Sequence, residues 1–209
     1  PKMVYISNPT EYGTLYSRKE LEELSRVCRE HDLYLFMDGA RLGYGLAAPD
    51  NELDLPFLAE HCDVFYIGGT KVGALFGEAM VIVNEELKKD FRYFIKQKGG
   101  MLAKGRLLGI QFETLFEDDL YMEISRHAIR MAEKLREAFR EKGYPFLVEN
   151  RTNQIFPVMP DSVLEKLSGS YGYSYQERVD DTHSAVRFCT SWATKEENVN
   201  SLIEDLNNC

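Results

Sequence analysis

No run of apolar residues in the sequence approaches the roughly 20 that a membrane-crossing helix needs, so a helical membrane span is not expected. Cysteine is scarce: Cys28, Cys62, Cys189 and Cys209 are the only four among 209 residues. They are scattered and form no C-x-x-C pair. A disulfide scaffold is therefore not expected, and a reducing, cytoplasmic setting is. Positive charge is also short, with 25 Lys and Arg against 34 Asp and Glu and a net charge of −9. Phosphate backbones and anionic lipid surfaces are bound by clustered Lys and Arg, so neither nucleic acid nor a membrane is an expected partner. The sequence shows no internal repeat and no low-complexity stretch.

What remains is ordinary globular material. Hydrophobic residues make up 44% and charged residues 28%, enough apolar content to bury a core. The first residues, Pro1-Lys2-Met3-Val4-Tyr5-Ile6, show no signal peptide. They read at once as a buried strand, so an N-terminal part of the protein is expected to be missing.

Strand-like and helix-like segments alternate along the first half. Residues 3–7, 33–37, 64–67 and 79–83 read as strands, and 17–28, 55–60 and 85–95 as helices. Ser17 with Glu20 is a capping-box signature; Leu21, Leu24, Val27 and Cys28 would form the inner face of the helix it opens. Such alternation implies parallel strands joined by crossovers, an α/β sheet covered on both faces. Residues 96–106 are Gly-rich and basic, a loop or helix junction. Helices follow over 105–117 and 120–142, the second with Ile124, Ala128, Met131, Leu135 and Phe139 at helical spacing and Gly143 as its stop. Short strands are then expected at 146–148, 154–159 and 184–190, with a helix over 163–167. The tyrosine-rich stretch 171–175 reads as a half-buried loop or strand pair. Thr194 and Glu197 form a second capping-box pattern before a helix that turns Val199, Leu202, Ile203 and Leu206 inward. A boundary near residue 107 divides a partial large domain, 1–106, from connecting helices and a small C-terminal α/β domain, 107–209.

Two strand ends carry candidate chemistry: Met37-Asp38-Gly39-Ala40-Arg41 and Gly68-Gly69-Thr70-Lys71. Ligands of open α/β sheets collect beyond the carboxyl ends of the strands, so one crossover can bring Asp38 and Lys71 to a single crevice. A lysine amine forms Schiff bases with aldehydes, and an aspartate is the natural partner of a protonated pyridine nitrogen. Each residue also has an ordinary reading. A lysine after a strand is commonly solvated, and Asp-Gly is a common turn. The pair Gly68-Gly69 suggests close backbone approach to something bulky. His31, His61, His127 and His183 form no pattern that marks a site, and no metal site is expected.

At these residues the sequence resembles the low-specificity L-threonine aldolases, a group within the fold type I pyridoxal-phosphate enzymes and the broader β-eliminating lyases. The resemblance is carried in order by Asp38-Gly39-Ala40-Arg41, by Gly69-Thr70-Lys71-Val72-Gly73-Ala74, by Gly99-Gly100-Met101-Leu102-Ala103-Lys104-Gly105-Arg106 and by Ala185-Val186-Arg187-Phe188. It implies a fold type I transferase-like chain with a mostly parallel sheet, and pyridoxal 5'-phosphate as cofactor. It also implies cleavage of a β-hydroxy-α-amino acid, L-threonine or L-allo-threonine, to glycine and an aldehyde. A β-elimination of amino acids, or a fragment without activity of its own, are the other outcomes to weigh. By resemblance, Lys71 matches the Schiff-base lysine and Asp38 the partner of the ring nitrogen. Arg41 and Arg187 match arginines near the cofactor's phenolic oxygen and the substrate carboxylate, for which a guanidinium fork is suited. Thr70, Lys104 and Arg106 are candidates for the phosphate, the last two reaching a neighbouring subunit of a homo-dimer or homo-tetramer. A surface ion pair or a solvated basic loop is the ordinary alternative for these cations. The family's Gly-rich phosphate cradle, and a residue to stack on the ring, are not found in the sequence.

Overall fold

A computed structural model describes residues 1–209. The first sheet contains β1 (Met3–Ser7), β2 (Tyr34–Asp38), β3 (Val64–Gly68) and β4 (Glu78–Ile82), in that spatial order. β1, β2 and β3 run parallel, and β4 closes the edge antiparallel to β3. Their connections are α1 (Arg18–Glu30), then α2 (Leu42–Leu46) with α3 (Leu55–His61). Alternation sends Ile6, Leu35, Met37, Phe65 and Ile67 into a core with Leu21 and Cys28 of α1 and with Leu42, Phe57 and Leu58.

The capping box of α1 forms: Ser17 Oγ accepts from the Glu20 amide, and Glu20 accepts from the Ser17 amide at 2.8 Å. One expected inner residue differs, because Val27 is exposed and Ser25 takes its place, its hydroxyl bound to the His61 carbonyl. The expectation that both sheet faces are covered does not hold within this chain. α1, α2 and α3 lie on one face, whereas Met3, Tyr5 and Met80 of the other face are exposed.

The expected helix over 85–95 is broken. A 3-10 turn at Glu85–Lys88 ends before Asp90, whose φ of 57° no α-helix can include, and α4 (Phe91–Gln97) starts afresh. α5 (Arg106–Phe116) and the long α6 (Leu120–Glu141) follow. α6 serves two cores. Ala128 and Ile129 join the first, and Met131, Ala132, Leu135 and Phe139 the second. Gly143, with φ of 74°, ends it as anticipated.

The second sheet is antiparallel and centred on β8 (His183–Cys189), with β7 (Ser174–Arg178) on one side and β5 (Gln154–Ile155) and β6 (Val158–Pro160) on the other. The strand expected over 154–159 is split at Phe156-Pro157, where proline has no amide to donate. That expected over 146–148 reduces to one bridge, Phe146 with Pro157. α7 (Asp161–Leu167) and α8 (Glu196–Asn207) cover this sheet. The second capping box is absent. α8 starts after Lys195 with no side-chain cap, because Thr194 Oγ1 instead accepts from the Ser191 amide at 2.8 Å. No helix is long and apolar enough to cross a membrane.

Candidate active site

β2 and β3 are adjacent and parallel, so their carboxyl ends meet at one rim of the sheet. Asp38 is the last residue of β2, and Lys71 lies three residues beyond the end of β3. Asp38 shares a sheet face with Tyr5, Phe36 and Tyr66, whose rings pack across three strands, Tyr5 stacked on Phe36 and Phe36 edge to face with Tyr66. The Tyr5 hydroxyl donates to Asp38 Oδ2, and the Ala40 amide donates to Oδ1 at 2.9 Å. Partial burial works to raise the Asp38 carboxyl. It is outweighed by the hydroxyls of Tyr5 and Tyr66, the Ala40 amide and the Lys71 charge, and the group lies below its usual 3.8. Asp38 is therefore a carboxylate at neutral pH, and Lys71 is near enough to be felt by it. Burial, with the same carboxylate beside it, pushes the Tyr66 phenol up.

The Lys71 turn is fixed by backbone bonds rather than by its own side chain, which is exposed. The Gly69 amide donates to Glu78 Oε2 at 2.5 Å, and the Lys71 carbonyl accepts from the Tyr44 hydroxyl at 2.5 Å. Tyr44 is buried, which pushes its phenol up to about 12. Its oxygen also accepts from the Trp192 amide at 3.2 Å, tying the turn to the second half of the chain. The glycines here need correction. A Cβ on Gly68 would stand 2.2 Å from the Ala40 carbonyl oxygen, and one on Gly69 2.4 Å from that of Gly77. The bulky neighbour that requires them is the protein's own backbone. Thr70 is exposed, with its hydroxyl 3.4 Å from the Gly77 carbonyl.

Arg41 follows the Asp-Gly turn, and its Nη1 lies 3.9 Å from Glu11 Oε2. Arg187 and Cys189 project from the same face of β8, while Val186 and Phe188 alternate into the second core. Arg187 Nη1 donates to Gln154 Oε1 at 3.2 Å, and its Nε is buried with no partner. The surrounding protein raises the Cys189 thiol, against the opposing pull of Arg187, Arg41 and Lys71. Contacts tie these cations to one region: Arg41 and Lys71 follow the ends of adjacent parallel strands, and Gln154 joins Arg187 to Glu11, whose carboxylate lies beside Arg41.

Lys104 and Arg106 do not join them. Both are exposed around the start of α5, and neither forms an ion pair within the chain. Sequence reading missed Tyr5, Tyr66, Tyr44, Glu78 and Gln154. The signal for Tyr5 and Tyr66 was strand alternation, which puts them on the Asp38 face. For Glu78, Tyr44 and Gln154 no local pattern exists, because their partners are 9, 27 and 33 residues away.

The arrangement offers a carboxylate, a free primary amine and two guanidinium groups around one rim. An ionised Asp38 suits a cationic ring nitrogen, and the unpartnered Arg187 Nε suits a carboxylate. These features fit pyridoxal phosphate with an amino acid on it.

A family model described as beta-eliminating lyase matches residues 1–162. The low specificity L-threonine aldolase of Pseudomonas aeruginosa is 32% identical over 208 residues, 99% of this chain and 59% of that protein. A solved structure of Leishmania major threonine aldolase is 44% identical and superposes with a TM-score of 0.97 over 100% of this chain and 61% of the other. An aspartate aminotransferase of Thermus thermophilus, at 19% identity and a TM-score of 0.69, shares the fold, covering 99% of this chain and 56% of its own. The chain thus spans about three-fifths of the length of these relatives.

Proposed function

The chain belongs to the beta-eliminating lyase family, and from that premise we propose that it is the lysine-bearing part of a pyridoxal-phosphate-dependent aldolase. Its substrate is a β-hydroxy-α-amino acid, L-threonine or L-allo-threonine, and its products are glycine and an aldehyde. The observation that carries this reading is the meeting of Asp38 and Lys71 at the carboxyl ends of two adjacent parallel strands. The aldolase names of the relatives at 32% and 44% identity support the choice of reaction.

Lys71 supplies the amine that holds the cofactor's aldehyde carbon. Asp38, kept ionised by Tyr5, Tyr66 and the Ala40 amide, would pair with the ring nitrogen and keep its proton in place. The bound cofactor supplies the electron sink for the pair released when the Cα–Cβ bond breaks. Arg187, with its Nε unpartnered, would hold the substrate carboxylate and so orient the amino acid for cleavage. Arg41 would serve the cofactor's phenolic oxygen, and Thr70 would contribute a hydroxyl to the phosphate.

Lys104 and Arg106 reach the phosphate of a neighbouring subunit in a homo-dimer or homo-tetramer. In support, they lie in a stretch where Met101, Leu102, Leu107 and Ile110 are exposed apolar residues. A cytoplasmic setting accords with four free cysteines.

The test is a product assay on the full-length protein loaded with pyridoxal phosphate. Acetaldehyde and glycine from threonine are expected. Pyruvate from serine or cysteine, without acetaldehyde from threonine, would replace the aldolase reading with β-elimination.

A further inference from the structure

Gln154 is wholly buried. A buried amide is tolerated when its donors and acceptor are used, and this one spends them between two parts of the chain. Its Oε1 accepts from Arg187 Nη1 at 3.2 Å and faces Cys189 Sγ at 4.0 Å. Its Nε2 donates to the Glu11 carbonyl at 3.2 Å. Glu11 belongs to the loop after β1, and its carboxylate is the one beside Arg41. A second amide repeats the link, since Asn150 Nδ2 donates to the Tyr12 carbonyl at 3.0 Å. The β8 sheet therefore grips the loop that follows β1, and Gln154 stands where that grip meets Arg187.

A guanidinium is planar, so holding one terminal nitrogen constrains the whole group. With Nη1 engaged by Gln154, the edge made by Nε and Nη2 is left for a carboxylate. Nε is the buried donor that has no partner within the chain, as expected if a ligand completes it. We propose that Gln154 is a positioning residue that turns the Nε–Nη2 edge of Arg187 to the α-carboxylate of the amino-acid substrate. This rests on the reading of Arg187 as the carboxylate anchor. Gln154 touches neither cofactor nor reacting atoms; it acts through Arg187.

The test measures equilibrium binding to the full-length, cofactor-loaded protein, with glycine as a probe that has the carboxylate and methylamine as one that lacks it. Two variants are compared, Gln154→Met, which keeps the volume and removes the polar atoms, and Gln154→Glu, which sets a competing carboxylate against Arg187. Thermal unfolding establishes that each is folded, and Gln154→Glu carries the test if Gln154→Met does not fold. Loss of one hydrogen bond to a charged group corresponds to about tenfold in affinity. The glycine Kd is expected to rise about tenfold in Gln154→Met and further in Gln154→Glu, with the methylamine Kd unchanged. Unchanged glycine binding in a folded variant, or equal weakening of both probes, overturns the proposal. Arg187→Met separates the two levels. If it weakens glycine while the Gln154 variants do not, only the role of Gln154 falls. If it leaves glycine binding unchanged, the anchor reading falls and this proposal with it.

Discussion

Arg136 is the largest fully buried side chain, 2% exposed, in the C-terminal half of α6. Burial draws its pKa down, and Glu133 beside it draws it back up. Its Nη1 pairs with Glu133 Oε1 at 2.5 Å, and its Nη2 donates to the Thr152 carbonyl at 3.0 Å. Thr152 is itself fully buried and lies between Asn150 and Gln154, the two amides that hold the loop after β1. Replacing Arg136 with Met keeps most of the packing volume but strands that carbonyl, at a cost of about 1–3 kcal/mol. Glu133 loses one partner and retains Arg151 at 3.2 Å. It is also partly solvated, so its share is about 1 kcal/mol rather than the larger penalty of a sealed charge. The sum, about 2–4 kcal/mol, corresponds to a fall in Tm of about 4–16 °C for a chain of this size. Adding Glu133→Gln should recover only the glutamate share, about 1 kcal/mol, because the carbonyl remains unpaired. Calorimetry or circular dichroism on both variants measures this. A Tm for Arg136→Met within about 2 °C of the wild type, or full recovery in the double variant, would refute the assignment of the cost to Thr152.

Three further predictions follow from single contacts. Asp38 has a folded pKa below its usual value, so the stability it contributes is present at neutral pH and is lost as pH falls through that folded pKa; Asp38→Asn should flatten the acid limb of a Tm-versus-pH curve, and an unchanged slope below pH of about 4 would count against it. Gly68→Ala forces a Cβ to 2.2 Å from a backbone oxygen, and should cost about 3 kcal/mol or prevent folding, read from Tm and soluble yield. Thr194→Ala should cost about 0.5–1.5 kcal/mol through the lost Ser191 bond, whereas Glu197→Ala should change Tm by less than about 0.5 kcal/mol equivalent; the reverse ranking in urea unfolding would restore the capping box at α8.

Legibility followed sequence distance. Ser17 and Glu20 were readable as a cap because the motif is complete within four residues, and so was the face of α6 from Ala128 to Phe139. Thr194 and Glu197 carried the same signature and failed, because the threonine hydroxyl accepts from the Ser191 amide behind it and the helix starts one residue later, after Lys195. The break at Asp90 lacked any Gly or Pro to announce it; an aspartate occupies the left-handed region there. At the site, Asp38 and Lys71 were legible as neighbours because one ends a strand and the other follows the next strand by three residues. Their supports were not, since the bonds from Tyr5, Tyr44, Glu78 and Gln154 depend on which strands become neighbours. The doublet Gly68-Gly69 does mark a lack of room, but the crowding comes from the backbone of Ala40 and Gly77, which the fold brings near.

The lysine assignment can be tested without reference to any product. The full-length protein is incubated with pyridoxal phosphate, reduced with borohydride and digested, and the pyridoxyl-bearing peptide is sequenced. The label is expected on Lys71 and should vanish in Lys71→Ala. A label on Lys104 or any other lysine, with Lys71 unmodified, would contradict it.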